Sequence, residues 1–201
     1  MAREIQLGIK RGFDIFASAI LLVGLSPLLL VMALAIWVSS DTPVLYRWHV
    51  VGKDGRPFVG YKFRTMIVGA DRLKEDLRAQ NEMRGPVFKM SDDPRVTPLG
   101  KILRKFSLDE LPQLWSVLVG DMSLVGPRPP LQSEYARFTD FQKRKLAVTP
   151  GMTSLWQVSG KPSDFDEWVR LDLEYIEHWS LGLDVKIFFK TALIVLTGKN
   201  Y

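Results

Sequence analysis

Two carboxylates stand side by side in the segment Arg104-Lys105-Phe106-Ser107-Leu108-Asp109-Glu110-Leu111-Pro112-Gln113-Leu114. Neighbouring charges of one sign repel, so the pair needs a structural or a chemical reason. The structural reason is helix capping. Ser107 and Glu110 have the S-x-x-E spacing of a capping box, and Asp109 could itself be the cap. Acids near a helix start complement its dipole, and proline is tolerated in the first turn, where Pro112 would fall. The chemical reason uses the same geometry. Free amides at a helix start stabilise anions, phosphate included, and Arg104, one or two turns earlier, could contact the same phosphate. A carboxylate pair can hold Mg2+ together with water and substrate phosphate. A carboxylate can also attack phosphorus and form an acyl phosphate. Asp109 could then be the nucleophile while Glu110 helps hold the metal. On these residues alone both reasons stand.

Other side chains suit anionic ligands. Lys62 and Arg64 alternate along an expected strand and would share one face, either as a solvated edge or as part of a phosphate site. Arg128 sits in Gly126-Pro127-Arg128-Pro129-Pro130, a stiff loop that could pre-organise its guanidinium for phosphate; the alternative is a surface turn or an internal ion pair. His49 is a lone histidine, a poor basis for a metal or acid–base role.

The elements that must position these residues are read from turn signals and periodicity. Val44–Val51 and Pro57–Met66 read as strands joined by Gly52-Lys53-Asp54-Gly55, a hairpin with Asp-Gly at its tip. Arg72–Met83 is rich in helix formers, with Leu73 and Leu77 spaced i, i+4. A short helix is expected over Leu99–Phe106, and a second from Ser107–Glu110 to about Val119, ended by Gly120-Asp121. Leu131–Ala147 reads as helical up to Pro150-Gly151, Trp156–Lys161 as irregular, and Asp164–Trp179 as an amphipathic helix. Leu183–Leu196 is apolar apart from Asp184, Lys186, Lys190 and Thr191, and is too short to span a bilayer. It reads either as an interfacial helix whose lysines snorkel or as a buried core helix.

From Phe13 to Val38 only Asp14 is charged. As a straight helix this run would measure about 39 Å, enough for a hydrocarbon core of about 30 Å. Ser26-Pro27 near its middle predicts a kink, and each half, about 20 Å long, is too short to cross. Basic residues flank both ends: Arg3, Lys10 and Arg11 before, Arg47 and Lys53 after, which favours keeping both flanks on the cytoplasmic side. A re-entrant hairpin satisfies both observations; a spanning helix with a tolerated proline is the alternative. The turn-rich exit is Ser39-Ser40-Asp41-Thr42-Pro43. The composition bounds the rest: 201 residues allow one domain with its own core, 47% apolar and 24% charged residues exclude disorder, and the absence of cysteine excludes disulfides and thiolate metal sites. The net charge of +5 suits phosphates or anionic lipid; nucleic acid is not expected, since the excess is small and no recognition motif accompanies it.

The segment Lys105–Leu114 resembles the signature of the bacterial sugar transferase family, the monotopic polyprenyl-phosphate phosphoglycosyl transferases, in their exopolysaccharide-type form. Further similar segments occur in order: Lys10-Arg11-Gly12-Phe13-Asp14, Ser26-Pro27, Tyr61-Lys62-Phe63-Arg64-Thr65-Met66, then residues 120–129 and 150–160. The resemblance covers almost the whole chain. It implies an α+β, mostly helical fold with three parts: a re-entrant membrane helix broken at Ser26 and Pro27 (residues 1–40), a β-hairpin, and a catalytic domain with interfacial helices (residues 41–201 including the hairpin). That domain would sit on the cytoplasmic face of the bacterial inner membrane.

The resemblance also implies the chemistry: transfer of a sugar 1-phosphate from a UDP-sugar to undecaprenyl phosphate, initiating polysaccharide or glycoconjugate synthesis. In the residues that match, Asp109 attacks the β-phosphate, Glu110 is associated with Mg2+, and Arg104 supports the site. UDP-glucose or UDP-galactose is the donor suggested by exopolysaccharide-type members, and an oligomer is compatible. Longer members carry extra N-terminal membrane segments and a regulatory domain, which are not expected in this sequence. Lys161 stands where the family often has an arginine after Gln-Val-x-Gly, so the expected phosphate-binding charge is kept and the bidentate fork is lost. The strand Tyr46–Gly52 lacks the Gln-x-Arg-x-Gly form common in the family, and no site role is carried over to it. Two alternatives remain beside the covalent route: direct transfer between the same substrates, and a non-catalytic membrane-anchored scaffold.

Overall fold

The computed structural model describes residues 2–39 and 43–198. The expected turn residues Ser40, Asp41 and Thr42, and with them the boundary between the two expected segments, lie outside the described residues.

The apolar N-terminal run forms two helices, α1 (Ala2–Gly24) and α2 (Ser26–Ser39), bent by 60° at the break between them. The cause is local. Pro27 has no N–H to give the ladder, and Ser26 Oγ turns back to donate to the Val23 carbonyl (2.7 Å). No single described helix is long and apolar enough to cross a bilayer; only the bent pair together reaches that length and composition. Much of its surface is exposed and apolar, from Phe13 and Phe16 through Leu30 and Val31 to Trp37 and Val38.

The inner face of α1 is anchored by polar groups. Arg11 donates to the Val117 and Leu118 carbonyls (2.6 and 2.8 Å), Lys10 to the Val125 carbonyl (3.0 Å) and to Asp184 (2.5 Å), and buried Asp14 accepts from the Leu124 N–H (3.1 Å). The sequence reading takes Lys10 and Arg11 as flanking membrane charges; they are instead ties between α1 and the rest of the chain.

The hairpin is present: β1 (Leu45–Val51) and β2 (Pro57–Phe63) pair antiparallel, Leu45 opposite Phe63 and Val51 opposite Pro57. Asp54 and Gly55 take the left-handed conformation at its tip. β2 stops earlier than expected because the chain leaves β1 to run along α3 (Pro98–Lys105): Thr65 accepts from the Thr97 N–H (2.9 Å) and Met66 bridges Val96. Gly100 allows this approach, since a Cβ there would lie 2.2 Å from the Thr65 carbonyl oxygen.

Three expected helices are revised. Arg72–Met83 contains only 3-10 turns at Arg72–Lys74 and Arg78–Gln80. Leu73 is exposed and Leu77 only half-buried, so no buried face stabilises a longer helix. Ser107–Val119 is not one helix. Ser107 is left-handed (φ 50°) with no side-chain cap, Leu108–Gln113 is a 3-10 segment, and α4 is only Leu114–Val119. Leu131–Ala147 divides into α5 (Gln132–Tyr135) and α6 (Asp140–Lys143) followed by a 3-10 turn. Thr139 and Gln142 form a capping box that starts the chain afresh.

A two-stranded parallel sheet that the sequence reading misses, β3 (Ser123–Val125) with β4 (Gly151–Thr153), ties the middle of the chain together. Then come a short α7 (Leu155–Val158), the expected amphipathic α8 (Phe165–Glu177) with Asp164 accepting from the Asp166 and Glu167 amides, and α9 (Leu181–Thr197). Ile187 and Asp184 of α9 are buried, whereas Val185, Phe189, Leu193 and Leu196 are exposed.

Three apolar clusters hold these parts. One joins α4, β3, α8 and α9 around Leu114, Val117, Leu124 and Ile187. A second is aromatic, with Trp156 and Trp168 stacked at 4.0 Å against Phe165 and Phe138. The third joins α2 to the hairpin and α3 through Met32, Ile36, Phe63 and Leu103.

Candidate active site

A cavity of about 420 Å³ opens between the hairpin, the segment from Thr65 to Arg95, the 3-10 segment and the loops around Arg128 and Lys161. Asp109 and Glu110 line one wall. They sit not at an α-helix N-terminus but in a short 3-10 segment, so the expected helix dipole is not what balances their charge. Side chains do that.

Lys62, pointing in from β2, places its ammonium 2.6 Å from Glu110 Oε1 and 4.1 Å over the Trp48 ring. Burial pulls the Lys62 ammonium down from its usual range, and Glu110 works against that. Burial also pushes the Glu110 carboxyl up, but Lys62, Arg128 and Lys161 outweigh it and hold the group at about 2. Asp109 goes the other way. Burial, then the adjacent Glu110 charge, push its carboxyl up to about 6 against the pull of Lys62 and Arg104. Two chemically similar acids are thus held as a permanent carboxylate and as one that ionises near neutrality.

The cations are built in from separate elements. Arg104, in the last turn of α3, donates from Nε to Thr65 Oγ1 (3.0 Å). Arg128 lies in the proline loop, whose two ends are pinned: Pro130 accepts from the Val51 N–H (3.0 Å), and Gly126 donates to the Thr153 carbonyl (2.9 Å). Its guanidinium stands 5.9 Å over Trp48. Lys161 occupies a left-handed position (φ 52°), a conformation uncommon for a non-glycine residue. The loop is fixed by Trp156 Nε1 donating to the Pro162 carbonyl (3.1 Å). Burial, then Lys89 and Arg128, push the Lys161 ammonium down to about 8.

The structure therefore brings Arg104, Lys62, Arg128 and Lys161 around the acidic pair. Arg64 borders the same cavity but donates from Nε to the Pro43 carbonyl (2.8 Å) and covers Tyr46 (5.7 Å). It lies one residue beyond the end of β2, yet it shares a face with Lys62 as expected: both line the cavity, over Tyr46 and Trp48 of β1. Ser26 and Pro27 are at the helix break, outside the residues lining this cavity.

Sequence reasoning misses Lys89, Trp48, Trp156 and the buried Asp93–Arg95 pair (2.7 Å), all lining the cavity. A lysine inside the apolar run Val87-Phe88-Lys89-Met90 is the signal that could have found the first.

Residues 5–198 match the family model described as bacterial sugar transferase. The chain is similar to the galactosyl transferase CpsE of Streptococcus agalactiae serotype III (strain NEM316), 46% identical over 193 residues, which are 94% of this chain and 42% of that protein. It is 41% identical over 201 residues to the undecaprenyl-phosphate galactose phosphotransferase of Salmonella typhimurium, covering 98% of this chain and 42% of the relative. It is 39% identical over 197 residues to the exopolysaccharide production protein ExoY of Rhizobium meliloti (strain 1021), covering 95% of this chain and 87% of ExoY. The chain thus spans less than half the length of the first two relatives and most of the third. With nearly all its residues matched, the chain belongs to the bacterial sugar transferase family.

Proposed function

We propose that the chain transfers a sugar 1-phosphate from a UDP-sugar to undecaprenyl phosphate through a covalent phosphosugar on Asp109. The observation that carries this reading is the divided pair: a buried carboxylate with its acidity weakened to about 6, beside one held at about 2, among four cations in one cavity. A carboxyl that ionises near neutrality, in a site already compensated for anions, suits attack on phosphorus.

In the first step Asp109 Oδ forms a bond to the β-phosphorus. The bond from that phosphorus to the bridging oxygen breaks, and the nucleoside monophosphate leaves with the electron pair. In the second, an oxygen of the lipid phosphate attacks the same phosphorus, the acyl-phosphate bond breaks, and Asp109 returns as a carboxylate. Arg104 and Lys62 flank the reacting phosphoryl group, while Arg128 and Lys161 hold the neighbouring phosphate. The Salmonella relative's name gives undecaprenyl phosphate and galactose for that protein, which supports this substrate class.

Mg2+ belongs to the same reading. Among the described residues no group of three or more metal-binding side chains is present, so two adjacent carboxylates lining the cavity would bind the ion only with substrate phosphate and water supplying the remaining ligands. Asp109 and Glu110 would hold it. When bound, it would supply charge to the phosphoryl oxygens.

Residues 1–40 serve as a re-entrant hairpin in the bacterial inner membrane, with 41–201 on the cytoplasmic face. The exposed apolar surface of the bent helices and of α9 supports contact with lipid, and Lys186 and Lys190 would snorkel from α9. The test is a screen of UDP-sugars, beginning with UDP-glucose and UDP-galactose, with undecaprenyl phosphate and Mg2+. At least one donor is expected to release UMP and yield a lipid diphosphate sugar; release from none would sink the reading.

A further inference from the structure

The cations of the cavity fall into groups. Lys62 and Arg128 stand over Trp48, with Lys62 2.6 Å from Glu110, whereas Lys89 stands over Trp156, whose indole holds the Lys161 loop. All of them line the same cavity as Asp109 and Arg104. The transfer reading leaves Lys89 without a task.

Its placement is not that of a solvated surface lysine. Lys89 is half-buried and lines the cavity with its neighbours Phe88 and Met90. Its backbone is fixed on both sides: its N–H donates to Asn81 Oδ1 (2.8 Å) and its carbonyl accepts from the Glu82 N–H (2.8 Å). The ammonium lies 6.0 Å over the ring of Trp156, the residue that also pins the Lys161 loop. The Lys89 ammonium and the Lys161 loop thus meet at one indole, and the Lys89 charge disfavours the charged form of Lys161.

We infer that Lys89, with Lys161, is the seat of the departing nucleotide, binding the phosphate that stays on the nucleoside when the sugar phosphate moves to Asp109. The inference rests on the transfer reading and adds direction to it. Attacking and leaving oxygens lie roughly in line across phosphorus. The negative charge that develops on the bridging oxygen therefore appears on the side away from Asp109, and on this inference that side is the Trp156 end of the cavity, where Lys89 and the Lys161 loop meet.

The test is UMP binding to the full chain in detergent or nanodiscs, measured by calorimetry for the wild type, Lys89→Met and Lys89→Arg. Loss of one charge-assisted contact should raise the UMP Kd about tenfold or more in Lys89→Met, with Lys89→Arg within about threefold of wild type. The UDP-sugar kcat/KM should fall in parallel, while the KM for undecaprenyl phosphate stays within about twofold. A second measurement needs no variant: UMP should protect Lys89 of the wild type from an amine-directed acylating reagent, read by peptide mass spectrometry. An unchanged UMP Kd in a folded Lys89→Met, or no protection at saturating UMP, overturns the inference and leaves the transfer reading intact. If the wild type neither binds UMP nor releases it from any UDP-sugar, both fall together.

Discussion

Asp109 and Glu110 carry the same functional group one residue apart, yet the chain treats them differently. Glu110 receives Lys62 at 2.6 Å and the fields of Arg128 and Lys161, so it stays ionised down to about 2. Asp109 feels burial and the Glu110 charge more strongly than any cation, and its carboxyl rises to about 6. In the proposed role of nucleophile Asp109 must be deprotonated, and a raised pKa means it is so only above that value. On the acid side kcat/KM should therefore fall about tenfold per pH unit below about 6. On the alkaline side Lys161, pushed down to about 8, loses its charge as pH rises through that value, and activity should decline there. Lys161→Arg, which stays protonated, should remove the alkaline decline while leaving the acid limb in place. Lys62→Met should move the acid limb upward, because Lys62 favours the ionised form of Asp109, and should lower kcat by about a hundredfold. Full pH–rate profiles of the three proteins check all of this.

The elements show where sequence periodicity suffices and where it does not. Gly100→Ala should drive a Cβ to 2.2 Å from the Thr65 oxygen, shifting α3 and with it the Arg104–Thr65 hydrogen bond. A stability loss of about 1–3 kcal/mol and a fall in activity are expected, measurable by thermal unfolding and turnover. The hairpin and α8 are legible because Asp54-Gly55 and Asp164 act locally, at a turn and a cap. The 60° bend is legible because Pro27 lacks a donor whatever surrounds it. The helix expected over Arg72–Met83 fails because helix-forming residues without a buried face do not hold a helix. The helix expected from Ser107 fails because the S-x-x-E spacing takes no account of the left-handed Ser107 that packing against α3 and β2 imposes. The β3–β4 sheet is only three residues per strand, joins distant parts of the chain, and depends on bare backbone contact at Gly126 and Gly151. No short-range pattern encodes such a contact. In the site, Asp109, Glu110, Arg104, Lys62, Arg128 and Lys161 are legible as charges in named motifs. Lys89 is not, since what brings it to Lys161 is the Asn81 clasp and Trp156, both set by tertiary structure.

At the scale of the molecule, the bent helices are tied to the site rather than appended to it. Lys10 reaches both Asp184 and the Val125 carbonyl, next to the loop that carries Arg128, and Tyr175 donates to the same Asp184 (2.7 Å). At the aromatic cluster the buried Lys145–Asp172 pair (2.7 Å) joins the turn after α6 to α8, with the Lys145 ammonium 4.5 Å over the Trp168 ring. Asp172→Ala leaves the Lys145 charge buried and unpaired, and should cost about 3–5 kcal/mol, read as a fall in denaturant midpoint, whereas replacing both partners by apolar residues should restore much of the loss. These ties hold the acidic pair, the cations of the cavity and the bent apolar helices in one frame, as the proposed two-step transfer would require. The most direct measurement supplies a UDP-sugar labelled in its β-phosphate, without lipid acceptor, and maps the label on the protein. The account predicts label on the peptide containing Asp109, UMP released in equal amount, discharge of the label on adding undecaprenyl phosphate, and none of these in Asp109→Asn. Normal turnover by Asp109→Asn, or UMP release only when acceptor is present and never with a labelled protein, would contradict it.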